Sequence, residues 1–184
     1  MSGDPEDDRE LVLALGQGER AAFDAIYDRF RPRVFTFLLR MGGDHALAED
    51  LMQETFVRLA TKARSLAPDT RLKAWLFTVA RNLFFDQRRR SALDRARSMA
   101  LGAALPPAGT TPLEAMETNE RARAVTRALQ HLKTDQREAI LLCAVEGFSP
   151  TEAAHLTGVE PAAMRQRLAR ARRILRDQLE RPRP

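Results

Sequence analysis

Arginine is concentrated near the end of the chain, between residues 165 and 176. This stretch holds six arginines and no acidic residue: Arg165, Arg167, Arg170, Arg172, Arg173 and Arg176. Guanidinium groups pair strongly with phosphates, and an ordinary surface helix interleaves the two signs of charge. Residues 1–10 show the opposite bias, with five acids and one arginine, which predicts a solvated leader. The charge pattern predicts that the C-terminal end binds a polyanion such as DNA.

A second candidate set lies in the first half of the chain. Asp50, Gln53, Glu54 and Val57 are spaced i, i+3, i+4 and i+7, so they share one face of a predicted helix. Clustered carboxylate and amide oxygens suit the docking of a basic partner surface. The spacing alone fits an ordinary solvated helix face as well, so both interpretations stay open at this point.

Aromatic and basic side chains are mixed between residues 72 and 90. The aromatic ones are Trp75, Phe77, Phe84 and Phe85, and the arginines are Arg81, Arg88, Arg89 and Arg90. Such a mixture can stack unpaired bases and hold the phosphates of a separated strand. Trp75 falls on the predicted apolar stripe and is expected in the core, whereas Phe77 and Phe85 lie further from that stripe.

Helices must position these side chains, because apolar residues recur at helical spacing and no alternating strand pattern is found. We predict an all-α protein with two small domains, residues 1–90 and 111–184, joined by a flexible linker at 91–110. The 184 residues are sufficient for two such cores. Residues 149–176 resemble a helix-turn-helix: a capped short helix, a turn at Gly158 and an arginine-rich helix from Pro161.

The sequence contains few of the residue patterns that are typical of enzyme active sites. The three histidines (His45, His131 and His155) show no metal-ligand spacing, and the lone Cys143 lies in an apolar stretch where an inert thiol is expected. We find no phosphate-binding glycine loop and no nucleophile elbow. The sequence therefore predicts no catalytic residue, no metal site and no cofactor.

The cellular compartment is predicted from features that the sequence lacks. A single cysteine excludes an internal disulfide framework, and no apolar run approaches the ~20 residues of a membrane span. The acidic start does not have the layout of a secretory signal. We expect a soluble, cytoplasmic protein that makes no membrane contact of its own.

Four segments together resemble the extracytoplasmic-function (ECF) class of bacterial RNA polymerase sigma factors. The first two are similar to that family's polymerase-binding and minus-ten-binding helices, and the last two to its minus-thirty-five-binding domain: residues 48–56, 73–83, 135–149 and 167–172. Each segment alone is moderately specific, and the four in order across one linker are highly specific. The resemblance covers nearly the whole chain outside the leader, the linker and the tail.

The resemblance implies roles that spacing does not supply. Asp50, Gln53 and Glu54 would bind the coiled coil of the polymerase's largest subunit, and the loop from Arg64 to Arg71 would capture a flipped base. The implied minus-ten set is Arg64, Arg71, Lys73, Trp75, Phe77, Arg81 and Asn82. The implied minus-thirty-five set is Arg165, Gln166, Arg167, Arg170, Arg172 and Arg173. The implied partners are core RNA polymerase, promoter DNA and an inhibitory anti-sigma factor.

The chain departs from the family pattern at two places. Lys133 follows Leu132 where the family usually has proline, and Pro161, Ala162 and Ala163 open the recognition helix where more polar residues are usual. The second departure leaves the promoter sequence open. The alternative function is a one-component helix-turn-helix regulator that acts without polymerase, but it gives the Asp50–Gln53–Glu54 face no role.

Overall fold

The structure is a computed structural model that describes residues 5–100 and 120–180. These residues form two compact units: 5–38 with 46–100, and 39–45 with 120–180. Within the described ranges both units consist of helices and turns, without strands. The predicted all-helical fold with two domains is confirmed.

The first unit is organised around long helices. Its elements are α1 (Pro5–Gln17), α2 (Arg20–Gly42), α3 (His45–Lys62), a 3₁₀ turn (Ala63–Ser65) and α4 (Leu72–Ala100). Its fully buried side chains come from several elements and include Ile26, Phe30, Phe37, Leu59, Leu72 and Leu76. Helix α2 ends at a glycine stop, because Gly43 has a φ of 78° and α3 begins shortly after it.

The acidic start of the chain is more ordered than its composition predicts. Helix α1 begins at Pro5, so residues 5–10 are helical, and Arg9 and Glu10 are exposed to solvent. On the same helix Val12 and Leu15 are buried, and Arg29 of α2 forms an ion pair with Asp8 at 3.1 Å. The buried residues therefore lie in the C-terminal half of α1, and the acidic N-terminal half continues the same helix.

The predicted linker is partly helical. Helix α4 continues to Ala100, which corrects the prediction that residues 91–100 belong to a linker. Alanine and arginine favour helix strongly, and extending an existing helix carries no nucleation cost. Residues 101–110, and the helix start predicted at Thr111 to Glu114, lie outside the described residues.

In the second unit the helices surround the C-terminal one. The elements are α5 (Glu120–Gln130), α6 (Thr134–Ile140), a π-helical turn (Leu141–Val145), α7 (Pro150–Thr157) and α8 (Pro161–Glu180). Helix α8 packs against α5, α6 and α7. Its buried side chains include Met164, Leu168 and Ala171, whereas Leu179 is exposed.

The π-helical turn explains a wrong burial prediction. A constant 3.6-residue period from Ile140 and Leu141 predicts that Ala144 and Val145 are buried. The widened turn, in which the N–H of Glu146 donates to the carbonyl of Leu141 at 2.9 Å, inserts one residue and rotates the positions after it. Leu142 is buried instead, and Val145 is 48% exposed.

Lys133 has a structural use in the turn that opens α6. Its backbone N–H donates to the side-chain oxygen of Gln136 at 3.2 Å. A proline at this position has no N–H to donate. The guanidinium of Arg137 then closes the end of α5, donating to the carbonyls of Leu129 at 2.9 Å and Gln130 at 3.1 Å.

Candidate polymerase and nucleic-acid interfaces

The turn between α7 and α8 has the geometry of a helix-turn-helix. Ser149 caps α7: its hydroxyl accepts the Glu152 N–H at 3.2 Å, and the Glu152 carboxylate accepts the Ser149 N–H at 2.8 Å. Gly158 ends α7 in the left-handed region, with a φ of 69°. Helix α8 begins three residues later, at Pro161. The sequence prediction of this motif is confirmed.

Small side chains let α7 and α8 approach closely. Ala153 and Ala154 of α7 are almost fully buried, and so is Met164 of α8. Alanine at such positions leaves room for the neighbouring helix, and methionine fills the remaining space. This packing fixes the direction in which α8 presents its polar side chains.

The polar side chains of α8 leave the helix in different directions. Counting about 100° per residue from the buried Met164, Gln166 and Arg173 lie about 160° and 180° away. By the same count Arg170 lies about 120° away and Arg167 about 60°. Gln166, Arg170 and Arg173 are exposed and form what we call the outward face of α8. Arg165 and Arg172 are exposed on one flank.

Arg167 is the member of the predicted minus-thirty-five set that turns toward the body of the unit. Its Nε lies 3.4 Å from Oδ2 of Asp135 in α6, and its side chain is only 28% exposed. An exposed ion pair of this kind contributes at most about 1 kcal/mol to stability, so it orients the guanidinium more than it stabilises the fold. Arg167 therefore sits at the edge of the outward face, not at its centre.

The predicted acceptor face of α3 points to solvent. Asp50 and Gln53 are exposed, and Val57 is 55% exposed. Glu54 is half-exposed and forms an ion pair with Arg58 at 2.9 Å. The opposite side of α3 is buried, through Ala48, Leu51, Met52, Thr55, Phe56 and Leu59. The structure thus brings the three predicted residues together on one exposed face that ends at an exposed valine, an arrangement that fits a docking face.

Phe77 does not form a base-stacking platform in this structure. Its side chain is fully buried, with its ring edge-on to Phe37 at a centroid distance of 5.3 Å. The sequence interpretation placed Phe77 away from the apolar stripe and Trp75 on it. The apolar stripe of α4 is rotated relative to the one predicted from the sequence: Ala80 and Phe84 are buried, and Trp75 is only half-buried. The assignment of Phe77 to DNA contact is corrected accordingly.

The accessible part of the predicted minus-ten set surrounds the start and middle of α4. Lys73, Trp75 and Arg81 are half-exposed, and Asn82 is exposed. The Arg81 guanidinium lies 4.7 Å from the ring centroid of Phe85, and its Nη1 donates to Oδ1 of Asn82 at 3.1 Å. Phe85, which the sequence left without a role, is thus half-exposed and stacked on a cation. A cation over a half-exposed ring is a surface suited to an unpaired base.

The loop from Arg64 to Arg71 connects α3 to α4. Both arginines are exposed, and a tight turn closes the loop where the Thr70 N–H donates to the Ala67 carbonyl at 2.9 Å. Arg64 also lines a cleft of about 480 Å³, together with residues from the α1–α2 turn and the end of α3. The loop therefore places two cations at the surface, one of them, Arg64, at the edge of the cleft.

Features that would indicate an enzyme are weak. Burial raises the pKa of the Cys143 thiol, and the nearby Arg172 guanidinium only partly opposes the shift. A raised pKa leaves less of the nucleophilic thiolate at neutral pH. No group of metal-ligating side chains is found in ranges 5–100 and 120–180. Over the described residues, no helix is long and apolar enough to cross a membrane.

Two protein-family descriptions match the chain in order. Sigma-70 region 2 matches residues 26–93. Sigma-70 region 4 matches residues 122–175. The first range contains the acceptor face of α3 and most of α4, and the second contains the helix-turn-helix.

Curated proteins of the same kind align over most of their length. The chain is 37% identical to the RNA polymerase sigma factor CarQ of Myxococcus xanthus, covering 88% of this chain and 91% of that protein. It is 34% identical to the ECF RNA polymerase sigma factor SigM of Bacillus subtilis, covering 83% and 92%.

Solved structures agree with these matches. The sigma factor RpoE of Bartonella quintana, in complex with the anti-sigma factor NepR, superposes with a TM-score of 0.73 at 31% identity, covering 88% of this chain and 98% of that chain. CnrH, in complex with the cytosolic domain of CnrY, superposes with a TM-score of 0.69 at 26% identity, covering 95% and 97%. The chain therefore belongs to the extracytoplasmic-function class of RNA polymerase sigma factors.

Proposed function

We propose that this chain binds core RNA polymerase and directs it to one class of promoter, as an alternative sigma factor. One observation carries the proposal: two helical units match sigma-70 regions 2 and 4 in that order, and each presents the surface that its role requires. The role of each residue is assigned from that surface chemistry. We place the activity in the cytoplasm, where transcription takes place in bacteria.

The acceptor face of α3 is the proposed polymerase contact. Asp50, Gln53 and Glu54 supply fixed oxygen acceptors, and Val57 supplies an exposed apolar side chain at the C-terminal end of the face. Protein interfaces combine apolar and polar contacts, and charge complementarity speeds the encounter with a basic partner.

Promoter recognition is divided between the two units in this proposal. The outward face of α8 enters the major groove of the intact minus-thirty-five element, because a rigid helix fits that groove. The loop from Arg64 to Arg71 and the Arg81–Phe85 pair meet the separated strand of the minus-ten element. Exposed cations and a stacked ring suit unpaired bases, which a duplex does not offer.

We also infer that an anti-sigma factor controls the chain. The similar RpoE structure was solved with the anti-sigma factor NepR. The alignment with RpoE covers 88% of this chain and 98% of the RpoE chain. A surface that docks on polymerase is a target for such a competitor, because covering it prevents holoenzyme assembly.

A one-component regulator is the alternative function. It would bind its operator tightly and alone, usually as a symmetric dimer on a palindromic site. The accessible acceptor face on α3 favours the sigma-factor function, because a regulator of that kind does not need it.

Run-off transcription separates the two functions. Purified core polymerase is incubated with a promoter template, with and without the protein. We expect a transcript of defined length only when the protein is present, and only weak binding of promoter DNA by the protein alone. Tight autonomous binding without any stimulated transcript would overturn the proposal.

A further inference from the structure

Helix α4 is longer than its buried core requires. Among residues 72–98, whose burial the structure describes, the last buried one is Phe84, yet the helix continues to Ala100. Between residues 88 and 97 every side chain is exposed except that of Ser91, which is half-exposed. The region 2 match ends at residue 93, before the helix does. We call residues 88–97 the α4 extension.

The α4 extension is strongly basic. It holds five arginines against one acid, Asp94: Arg88, Arg89, Arg90, Arg95 and Arg97. At 1.5 Å per residue the extension is about 15 Å long, whereas duplex DNA carries one phosphate charge per about 1.7 Å of axis. A cation array of that length therefore matches several phosphates.

Contacts inside the helix leave much of this charge accessible. The Arg88 guanidinium lies 5.8 Å from the Phe84 ring, and Arg89 pairs with Asp86. The Nε of Arg95 donates to the Ser91 carbonyl at 3.1 Å, a bond that uses one of its three guanidinium nitrogens. All five arginines are exposed, so none is consumed by burial in the core.

We propose that the α4 extension binds the phosphates of duplex DNA between the two promoter elements. The inference rests on the proposed function, which assigns the first unit to the minus-ten element and the second to the minus-thirty-five element. In chain order the extension lies at the end of the first unit and precedes most of the second. The duplex DNA between the two elements is therefore the polyanion that we expect the extension to meet.

The chemistry of the extension favours duplex over single-stranded DNA. Residues 88–97 contain no aromatic side chain, and stacking on aromatics is the usual means of holding unpaired bases. Arginines on a helix contact backbone phosphates without reading sequence. The contact therefore adds affinity on any promoter and contributes no choice between promoters.

The test replaces Arg95 and Arg97, which lie beyond the region 2 match. The double variant Arg95→Gln/Arg97→Gln removes two charges and keeps two good helix formers. The control Arg9→Gln/Arg31→Gln removes two exposed charges from α1 and α2 of the same unit. Both variants are assembled with core polymerase, and promoter affinity is measured over a range of salt concentrations.

We expect the slope of log affinity against log salt to fall by about 0.9 for the double variant, at about 0.9 per phosphate contact, because Arg95 and Arg97 leave the helix about 160° apart and one of them faces a given duplex. The control should keep the wild-type slope. On a shorter template whose upstream duplex ends at the minus-ten element, the double variant and the wild type should bind equally.

Three results would overturn the inference. One is an unchanged slope for the double variant, and another is an equal loss on the shortened template, which would place the contact on separated strands. The third is weaker binding of the variant to core polymerase without DNA, which would make the extension a polymerase contact. Wild-type transcription distinguishes failure of this inference from failure of the proposed function, because only the latter abolishes the run-off product.

Discussion

From the direction in which each α8 side chain leaves the helix, we infer a different promoter contact for each. Gln166 and Arg170 lie on the outward face, where a side chain can reach base edges in the major groove. Arg167 lies at the edge, oriented by Asp135. A guanidinium at the edge of a recognition helix meets the DNA backbone in place of the bases.

Substitution of α8 residues should therefore lower promoter affinity in two different ways. Arg170→Ala should cost about 1–3 kcal/mol of promoter affinity and relax the preference at one base pair of the upstream element. Arg167→Ala should weaken all promoters alike and lower the salt slope by about one unit. Binding measurements on a set of single-base promoter variants check this, and a sequence-dependent loss for Arg167→Ala would contradict it.

Phe77 belongs to the stability of the first unit. Because its ring is buried against Phe37, Phe77→Ala leaves a cavity and should lower the free energy of unfolding by about 3–5 kcal/mol. Thermal denaturation followed by circular dichroism measures the loss. Trp75→Ala, at a half-buried position, is the control and should cost less. An unchanged melting temperature for Phe77→Ala would show that the ring does not support the core.

At the scale of elements, the α7–α8 turn depends on one backbone conformation. An added Cβ at Gly158 meets no atom within 4 Å, so the cost of a substitution there comes from its positive φ. Gly158→Ala should lower stability by about 1 kcal/mol, and Gly158→Asn by less, because asparagine tolerates this region. Urea unfolding of the whole protein gives both values. Equal losses for the two variants would argue against a conformational cause.

The acceptor face of α3 should be separable from the fold. Gln53→Ala/Glu54→Ala removes surface groups and one exposed ion pair worth about 0.3–0.5 kcal/mol, so the helical circular dichroism should not change. The affinity for core polymerase should fall at least tenfold. Gln17→Ala/Asp28→Ala removes an exposed amide and acid elsewhere and should have no effect. Unaltered core binding of the first variant would remove the proposed role of this face.

Elements with local signals were predictable from the sequence. The capping box at Ser149, the glycine at 158 and the periodic apolar residues of α3 each depend on neighbours along the chain. The failures arose where packing decides. Phe77 and Trp75 differ by two positions on a helix that is apolar on much of its surface, and only the position of Phe37 selects between them. The π-helical turn at Leu141–Val145 has no marker in the sequence.

In the candidate site as well, features that depend on spacing and charge were predictable, and features that depend on side-chain packing were not. The residues of the acceptor face and the arginines of α8 were found by spacing and charge, and the structure places them at the surface. The pairing of Arg81 with Phe85 and of Arg167 with Asp135 depends on side-chain directions, which spacing does not fix. The length of α4 was missed because its last turns carry no apolar stripe.

At the scale of the whole molecule, the chain in the proposed function binds two forms of promoter DNA. It uses a chemically different surface for each form. The α8 face acts on a closed duplex, and the loop from Arg64 to Arg71 acts after the strands separate. A defect in the first surface should persist on any template that needs duplex capture. A defect in the second should disappear when the strands are already apart.

A pre-melted promoter therefore tests this division most directly. Holoenzymes carrying Arg170→Ala, or the loop variant Arg64→Ala/Arg71→Ala, are compared on fully paired and pre-melted templates, with permanganate reporting unpaired thymines. We predict that pre-melting restores complex formation by the loop variant to near the wild-type level and leaves the Arg170→Ala defect unchanged. Equal rescue of both variants would contradict the assignment of the two surfaces to two forms of DNA.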